Sequence, residues 1–374
     1  MSISIRRRAA SSFRNAMLVL LACTAGAAAQ EGIDIISQRG SLAIMPLYQT
    51  WKLGSSESFS EFGTEVSLYV PVLREAAVTL RNAPVMTSGA GVEKISGFTD
   101  TQIGALYHLE DQHLLFSVGV NLPTGKRELT REEFLSNVLL STPALNMQVT
   151  QFGQGLNINP GLLWSISGGE SAAFGLGVTY HYKGAFTPLK NSGDYDPGDE
   201  ILATAGMDIS VAEATNLSVD VIFTHYGKDV FEGEDVYAPG NKVVGGVQFM
   251  KYFGNDRLIV AGRYRSYGKG EAPFAGVLKP TLAKSEPDNF ELLGAYALRV
   301  SDAFIVTFTA EGRYFQETTA PVSGLRIGGL GVMPEFWLTR SIKLPLRFKV
   351  QAGTMKGGES VLGLEAGMGL QFGF

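Results

Sequence analysis

The residues of this chain that could do chemistry are ionisable groups set at every second position. Arg263 and Arg265 stand two apart in LIVAGRYRSY, Glu311 and Arg313 in FIVTFTAEGRYF, and Arg347 and Lys349 in IKLPLRFKVQ. A spacing of two puts both members of a pair on one face of a strand. Arg263, Arg265, Glu311, Arg313, Arg347 and Lys349 are therefore candidates for lining a constriction, where fixed charges orient a passing solute. Acids occupy equivalent positions at Glu65, Asp100, Asp208, Asp220, Glu291, Glu335 and Glu365. They are at least as frequent as the bases, so no anion selectivity follows. Cross-strand ion pairs that brace a wall account for most of these charges.

Catalysis finds little support. The chain has four histidines, none in a paired-ligand spacing such as HExxH. His108 and His181 fall on the polar face of their runs, His225 on the apolar face, and His113 follows a turn. No coherent set of acid, base and nucleophile is present, so neither an enzyme, a cofactor nor a metal is expected. The acidic runs DYDPGDE (Asp194, Asp196, Asp199, Glu200) and DVFEGED (Asp229, Glu232, Glu234, Asp235) could hold calcium or magnesium and bridge lipopolysaccharide phosphates. They do not match an EF-hand loop, and solvated loop charge accounts for them better.

The elements that must position these charges are strands. From Gly40 onward, alternating runs are separated by breaks that are in turn short and long. Short breaks include Gly168-Gly169-Glu170, Gly254-Asn255-Asp256 and Ser301-Asp302; the long ones include 123–155, 185–199 and 270–288. That sorting predicts an all-β, transmembrane, up-and-down antiparallel barrel with short periplasmic turns and long outer loops. The runs number about sixteen, or fourteen if one has been split. In Phe304–Tyr314, Phe304, Val306, Phe308 and Ala310 oppose Thr307, Thr309, Glu311 and Arg313. A cation facing lipid near the midplane costs about 2–4 kcal/mol, so the charged face is the lumen. Aromatics at run ends (Tyr48 and Trp51, Tyr226, Tyr267, Tyr314 and Phe315, Phe336 and Trp337) suggest girdles at the headgroup level. The longest loop contains LTREEFLSNVLL, Leu129–Leu140, a helical pattern with Phe134, Leu135, Val138 and Leu139 on one side.

The chain of 374 residues is glycine-rich, with 45 glycines, and its formal net charge of −5 gives no case for nucleic-acid binding. No long apolar run follows the first few dozen residues. Those residues read as a signal peptide, 1–29: a basic stretch from Arg6 to Arg14, an apolar core Ala16–Ala22, and a small-residue site at Ala27-x-Ala29. Residues 30–374 then form a single barrel domain. Leu20-Leu21-Ala22-Cys23 is a loose lipobox, which would make Cys23 a lipidated first residue; a barrel has little need of such an anchor.

The last segment, VLGLEAGMGLQFGF, alternates without a break to a terminal aromatic. It resembles the carboxyl-terminal signal of bacterial outer-membrane barrels, which implies that Met368, Leu370, Phe372 and Phe374 are read by the barrel-assembly machinery. VNLPTGK, Val120–Lys126, resembles a phrase of the outer-membrane transporters of the phenol meta-degradation family, related in architecture to long-chain fatty-acid channels. The chain departs from those channels in having no length for an amino-terminal hatch, and in its strand count, which is fourteen in that group. The resemblance implies a location in the outer membrane of a Gram-negative bacterium, contact with its lipid and lipopolysaccharide, and passive uptake of small solutes, including hydrophobic or aromatic ones. The alternatives are a non-conducting barrel that serves as surface structure or anchors a partner, and a barrel enzyme that modifies lipid.

Overall fold

The computed structural model describes residues 39–374, apart from 56–57, 90–92, 110–112, 170, 275–276 and 319–322. The expected signal peptide, Cys23 and Glu170 of the short break Gly168-Gly169-Glu170 lie outside the described residues. Sixteen antiparallel strands follow one another around a closed barrel. They are β1 Ser41–Leu53, β2 Phe59–Pro71, β3 Ala76–Asn82 continued by Pro84–Gly89, and β4 Ser96–Phe98 continued by Thr101–Leu109. Next come β5 Leu114–Leu122, β6 Asn157–Ser167, β7 Ala172–Lys183, β8 Glu200–Ala212, β9 Thr215–Tyr226 and β10 Lys242–Phe253. The circuit ends with β11 Asp256–Tyr267, β12 Asn289–Ser301, β13 Phe304–Phe315, β14 Arg326–Thr339, β15 Ile342–Thr354, and β16 Ser360–Met368 continued by Leu370–Gly373.

The seam is shut by β1 and β16, which pair from Ser41↔Gly373 to Leu53↔Val361. Closure leaves no strand edge exposed in the hydrocarbon, where an unpaired backbone group would cost several kcal/mol, roughly the penalty of burying it without a partner. The seam also brings the start of β1 to the carboxyl-terminal residue on the short-turn side: Gly40 N donates to Phe374 O at 2.8 Å and Phe374 N to Gly40 O at 3.0 Å. Packing at the seam is close. A Cβ on Gly363 would lie 2.7 Å from the Trp51 ring, so the indole occupies the space that only glycine leaves.

Alternation sets the two faces. On β16, Leu362, Leu364, Ala366 and Met368 are exposed while Val361, Gly363 and Glu365 are buried. On β13, Phe308, Ala310 and Tyr314 point out while Arg313 and Phe315 are buried inside. The exposed set continues around the barrel through Leu176, Val178, Val219, Val221, Val247, Val260, Phe348 and Val350. A continuous apolar belt of that extent belongs in lipid, since soluble surfaces rarely carry apolar patches beyond a few hundred Å².

The aromatic girdle is thinner than the run ends suggest. Tyr48, Tyr314 and Phe336 face outward, but Trp51 and Phe315 are each only 1% exposed inside the barrel. Trp337 shares the inward parity of Glu335, and Tyr226 and Tyr267 share that of Ile222 and Arg265. Neighbouring residues on a strand point to opposite faces, so a pair such as Tyr314 and Phe315 supplies only one ring to the lipid.

Candidate functional site

The feature that shapes the lumen is the long connection between β5 and β6, residues 123–156. It folds into the barrel. Asp100, at the break in β4, fastens both of its stems: Gly125 N donates to Oδ1 at 2.8 Å and Gln154 N to Oδ2 at 2.7 Å, with Asn121 Nδ2 on Oδ2 at 2.9 Å. Gly125 is required by this closeness, because a Cβ there would meet Phe152 O at 2.2 Å.

The loop then forms helix α1, Arg131–Leu140. Its start is a capping box: Glu133 N donates to Thr130 Oγ1 at 3.2 Å and Thr130 N to Glu133 Oε2 at 3.0 Å. Lys126 Nζ donates to Glu133 Oε1 at 2.5 Å. Burial opposes the Glu133 charge, but the Lys126 ammonium and the Thr130 N–H outweigh it and hold this carboxyl below its ordinary range. The helix does not bury the face its apolar residues suggest. Glu133, Ser136 and Leu140 are buried, Phe134 and Leu139 pack against the inner core, and Leu135 and Val138 are exposed. The polar members can be buried because they are satisfied: Ser136 Oγ accepts from Glu93 N at 2.7 Å and donates to Glu132 O at 2.9 Å.

Beyond the helix the loop carries Ala144, Leu145, Met147, Val149 and Phe152, all buried. They join Trp51, Phe59, Val85, Phe315, Ile327 and Val361 of the wall in one hydrophobic core inside the barrel. Complete burial of a large apolar side chain is worth about 1.5–3 kcal/mol, so these residues offset the cost of ordering the segment.

The loop backbone is bonded to a polar row on the wall. Lys349, Glu365, Gln49, Glu61 and Thr87 are successive register partners across β15, β16, β1, β2 and β3. Gln49 Oε1 accepts from Gln148 N at 2.6 Å, and Gln49 Nε2 donates to Asn146 O at 3.1 Å. Val149 N donates to Glu61 Oε1 at 2.9 Å. From β13, Arg313 Nη1 donates to Ala144 O at 2.8 Å.

The six charged residues singled out from sequence lie on an arc from β11 to β15. Arg313 ion-pairs with Glu311 at 3.4 Å and bonds Gln351, while its guanidinium lies 5.9 Å from the Trp51 ring. Lys349 bridges Glu311 at 3.4 Å and Glu365 at 3.5 Å, and Arg347 pairs with Glu365. Arg265 pairs with Glu291 at 2.8 Å and donates to Asn289 at 2.9 Å. Glu291 is the register partner of both Arg263 and Arg313, so it joins the two ends of the arc. The side chains of Arg313 and Lys349 are only 6% and 7% exposed, whereas those of Arg265 and Arg347 are 22% and 30% exposed. Two of the six are thus anchors within the packed side of the lumen. Further braces are Glu65 with Arg81 at 3.7 Å and Glu335 with Lys343 at 3.3 Å.

Gln49 and Glu61, the residues that bind the loop most directly, were not apparent from sequence. Their signal was available in their inward parity with Trp51 and Phe59. His181 faces inward, 3.5 Å from Glu200, and His225 is exposed and bonded to Asn241 at 2.9 Å. Among the described residues, no three His, Cys, Asp or Glu side chains gather as a metal would require. In the acidic loops, Tyr195 OH donates to Asp229 Oδ2 at 2.7 Å and Gly198 N to Asp229 Oδ1 at 2.8 Å, so carboxylate serves loop structure there. Met368, Leu370, Phe372 and Phe374 lie on the outward face of β16 and its end.

A closed sixteen-stranded barrel with a lipid-facing apolar belt and a charged interior defines a β-barrel of the bacterial outer membrane. No protein-family profile matches the sequence, and no curated protein does. Solved structures do resemble the fold. CdiB from Acinetobacter baumannii is similar over 90% of this chain and 60% of its own, at 7% identity and a TM-score of 0.53. The monoaromatic hydrocarbon channel CymD is similar over 90% and 89%, at 12% identity and a TM-score of 0.46. OprB of Pseudomonas putida is similar over 90% and 94%, at 10% identity and a TM-score of 0.48. Identities this low mark a likeness of fold alone.

Proposed function

We propose that the protein is a passive channel for small solutes, with its bore narrowed by loop 123–156. The observation that carries this reading is the loop fastened inside the barrel by Asp100, Gln49, Glu61 and Arg313. A loop held on one side of the lumen shapes a passage along the other. Arg265 and Arg347, with Glu311 and the neighbouring Arg263, line that passage; Arg313 and Lys349 hold its packed side. Solutes move down their own gradient, and hydrogen-bonding and charged groups replace part of their hydration as they pass. The solute class is small and includes hydrophobic or aromatic compounds, as the VNLPTGK resemblance implies. The carboxyl-terminal residues Met368, Leu370, Phe372 and Phe374 serve insertion by the assembly machinery, and the belt contacts lipid and lipopolysaccharide.

Liposome swelling tests the reading. Vesicles containing the refolded barrel should swell in small sugars and amino acids, and swell faster when residues 126–150 are deleted. No swelling with either protein would favour a second reading, a non-conducting barrel plugged by its inner hydrophobic core.

A further inference from the structure

Among the described residues the packed core draws its wall members from β1–β3, β13, β14 and β16 and none from β7–β11, so in the proposed channel the wall from β7 to β11 faces the passage. At the outer end of that wall the inward residues include Lys183, Glu200, Tyr226, Lys242, Arg265 and Tyr267. Their registers place Lys242 between Thr224 on β9 and Tyr267 on β11, and Tyr226 beside Glu200.

The neighbouring cations are neutralised. Lys183 is ion-paired with Glu200, and Arg265 with Glu291 at 2.8 Å. Lys242 differs. Its ammonium lies over the Tyr226 ring, 5.6 Å from the centroid, and among the described residues no carboxylate is within ion-pairing distance of it. Glu200 is already engaged by Lys183 and, at 3.5 Å, by His181. Glu286, in loop 268–288, is exposed and adds its field without touching the ammonium. One step further in along the strands the wall turns apolar, with Leu202, Ile222 and Val244 in contact and buried. Val244 thus lies one inward position from Lys242, whose charge sits over the Tyr226 ring, with Tyr267 as its register partner on β11.

We propose that Lys242, Tyr226 and Tyr267 form a binding site at the outer end of the passage for compact organic monoanions with a flat apolar body. The ammonium takes the carboxylate, and the two rings take the flat face. Glu200 and Glu286 flank the site and repel a second negative charge, so dianions are excluded. The site supplies the solute class of the proposed channel and rests on that reading for its role in transport, but binding itself needs no current to flow.

Isothermal titration of the detergent-solubilised barrel with benzoate tests the site directly, with acetate, benzyl alcohol and phthalate as comparisons. Benzoate should bind and bind more tightly than all three. Lys242→Gln should weaken it at least about tenfold, the scale of one lost charge-assisted hydrogen bond. Tyr226→Leu should weaken benzoate about threefold or more and leave acetate unchanged. Lys228→Gln, which removes an exposed outer-loop cation paired with Asp235 at 2.6 Å, should leave benzoate binding as it was. If Lys242→Gln does not fold, Tyr226→Leu and Tyr267→Leu read the same site with the ammonium in place. Absence of benzoate binding to the unaltered barrel, or equal losses from Lys242→Gln and Lys228→Gln, would overturn the proposal. Benzoate binding to a barrel that passes no current would keep the site and remove the channel.

Discussion

Gln49 and Glu365 face each other as register partners across the seam that closes the barrel, and Gln49 Nε2 donates to Glu365 Oε2 at 3.2 Å. The same amide holds the inner loop by accepting from Gln148 N at 2.6 Å and donating to Asn146 O at 3.1 Å. One side chain thus ties the last strand, the first strand and the loop together. Its docking surface exists only when the seam is shut, because Glu365 and Gln49 come from opposite sides of it.

Gln49→Leu should therefore loosen the loop without opening the barrel. It leaves the Gln148 N–H buried without its acceptor, at a cost of about 1–3 kcal/mol. Limited proteolysis should cut within 141–149 faster than in the unaltered protein, while the heat-modified shift on gels, which reports barrel closure, should persist.

Asp100 should be the more sensitive position, since its two oxygens serve both loop stems. Asp100→Ala frees Gly125 N and Gln154 N together and should cost about 2–4 kcal/mol of loop docking, given about 1.5–3 kcal/mol for each bond to a charged group and partial replacement by water. Asp100→Asn keeps one acceptor oxygen and should fall between. Hydrogen exchange at residues 125 and 154 reads the order.

Acid should release the helix end of the loop. The Glu133 carboxyl is held below its ordinary value of 4.5, so its contribution is fully present above that value and is lost as pH falls through the lowered one. Protease nicking within 131–140 should rise in acid below about pH 4.5. Glu133→Gln, which keeps the capping box but loses the Lys126 ion pair, should be nicked modestly more at neutral pH, on the scale of an ion pair worth about 0.2–1 kcal/mol, and should respond less to acid.

Arg313→Met should be more damaging than a surface charge deletion, because Arg313 is buried between Glu311, Gln351 and the carbonyl of Ala144. Removing one partner of a buried pair costs about 3–5 kcal/mol. The double variant Arg313→Met with Glu311→Gln should recover part of that loss in a thermal melt.

The barrel was legible in the sequence because period-two alternation is local: every strand carries it, and the pattern in Phe304–Phe315 or at the carboxyl end needs no knowledge of its neighbours. The loop inside the barrel was not, because its partners are distant. Gln148 meets Gln49 and Val149 meets Glu61 across about ninety or more residues, and a backbone N–H leaves no trace in side-chain pattern. One signal was present. Leu145, Met147, Val149 and Phe152 are too apolar for a loop exposed to water, and the lumen is the place where an outer loop can bury them. The girdle was over-read for the opposite reason: Trp51, Phe315 and Trp337 were grouped with their neighbours by sequence position, when parity assigns them to the interior.

Single-channel current in planar bilayers, recorded from the refolded chain and from a variant lacking residues 126–150, tests the central claim most directly. A loop-narrowed passage predicts a steady small current from the complete protein and a several-fold larger one from the variant. Silence from both would contradict an open passage and leave a barrel whose interior is sealed by the core around Trp51 and Phe152.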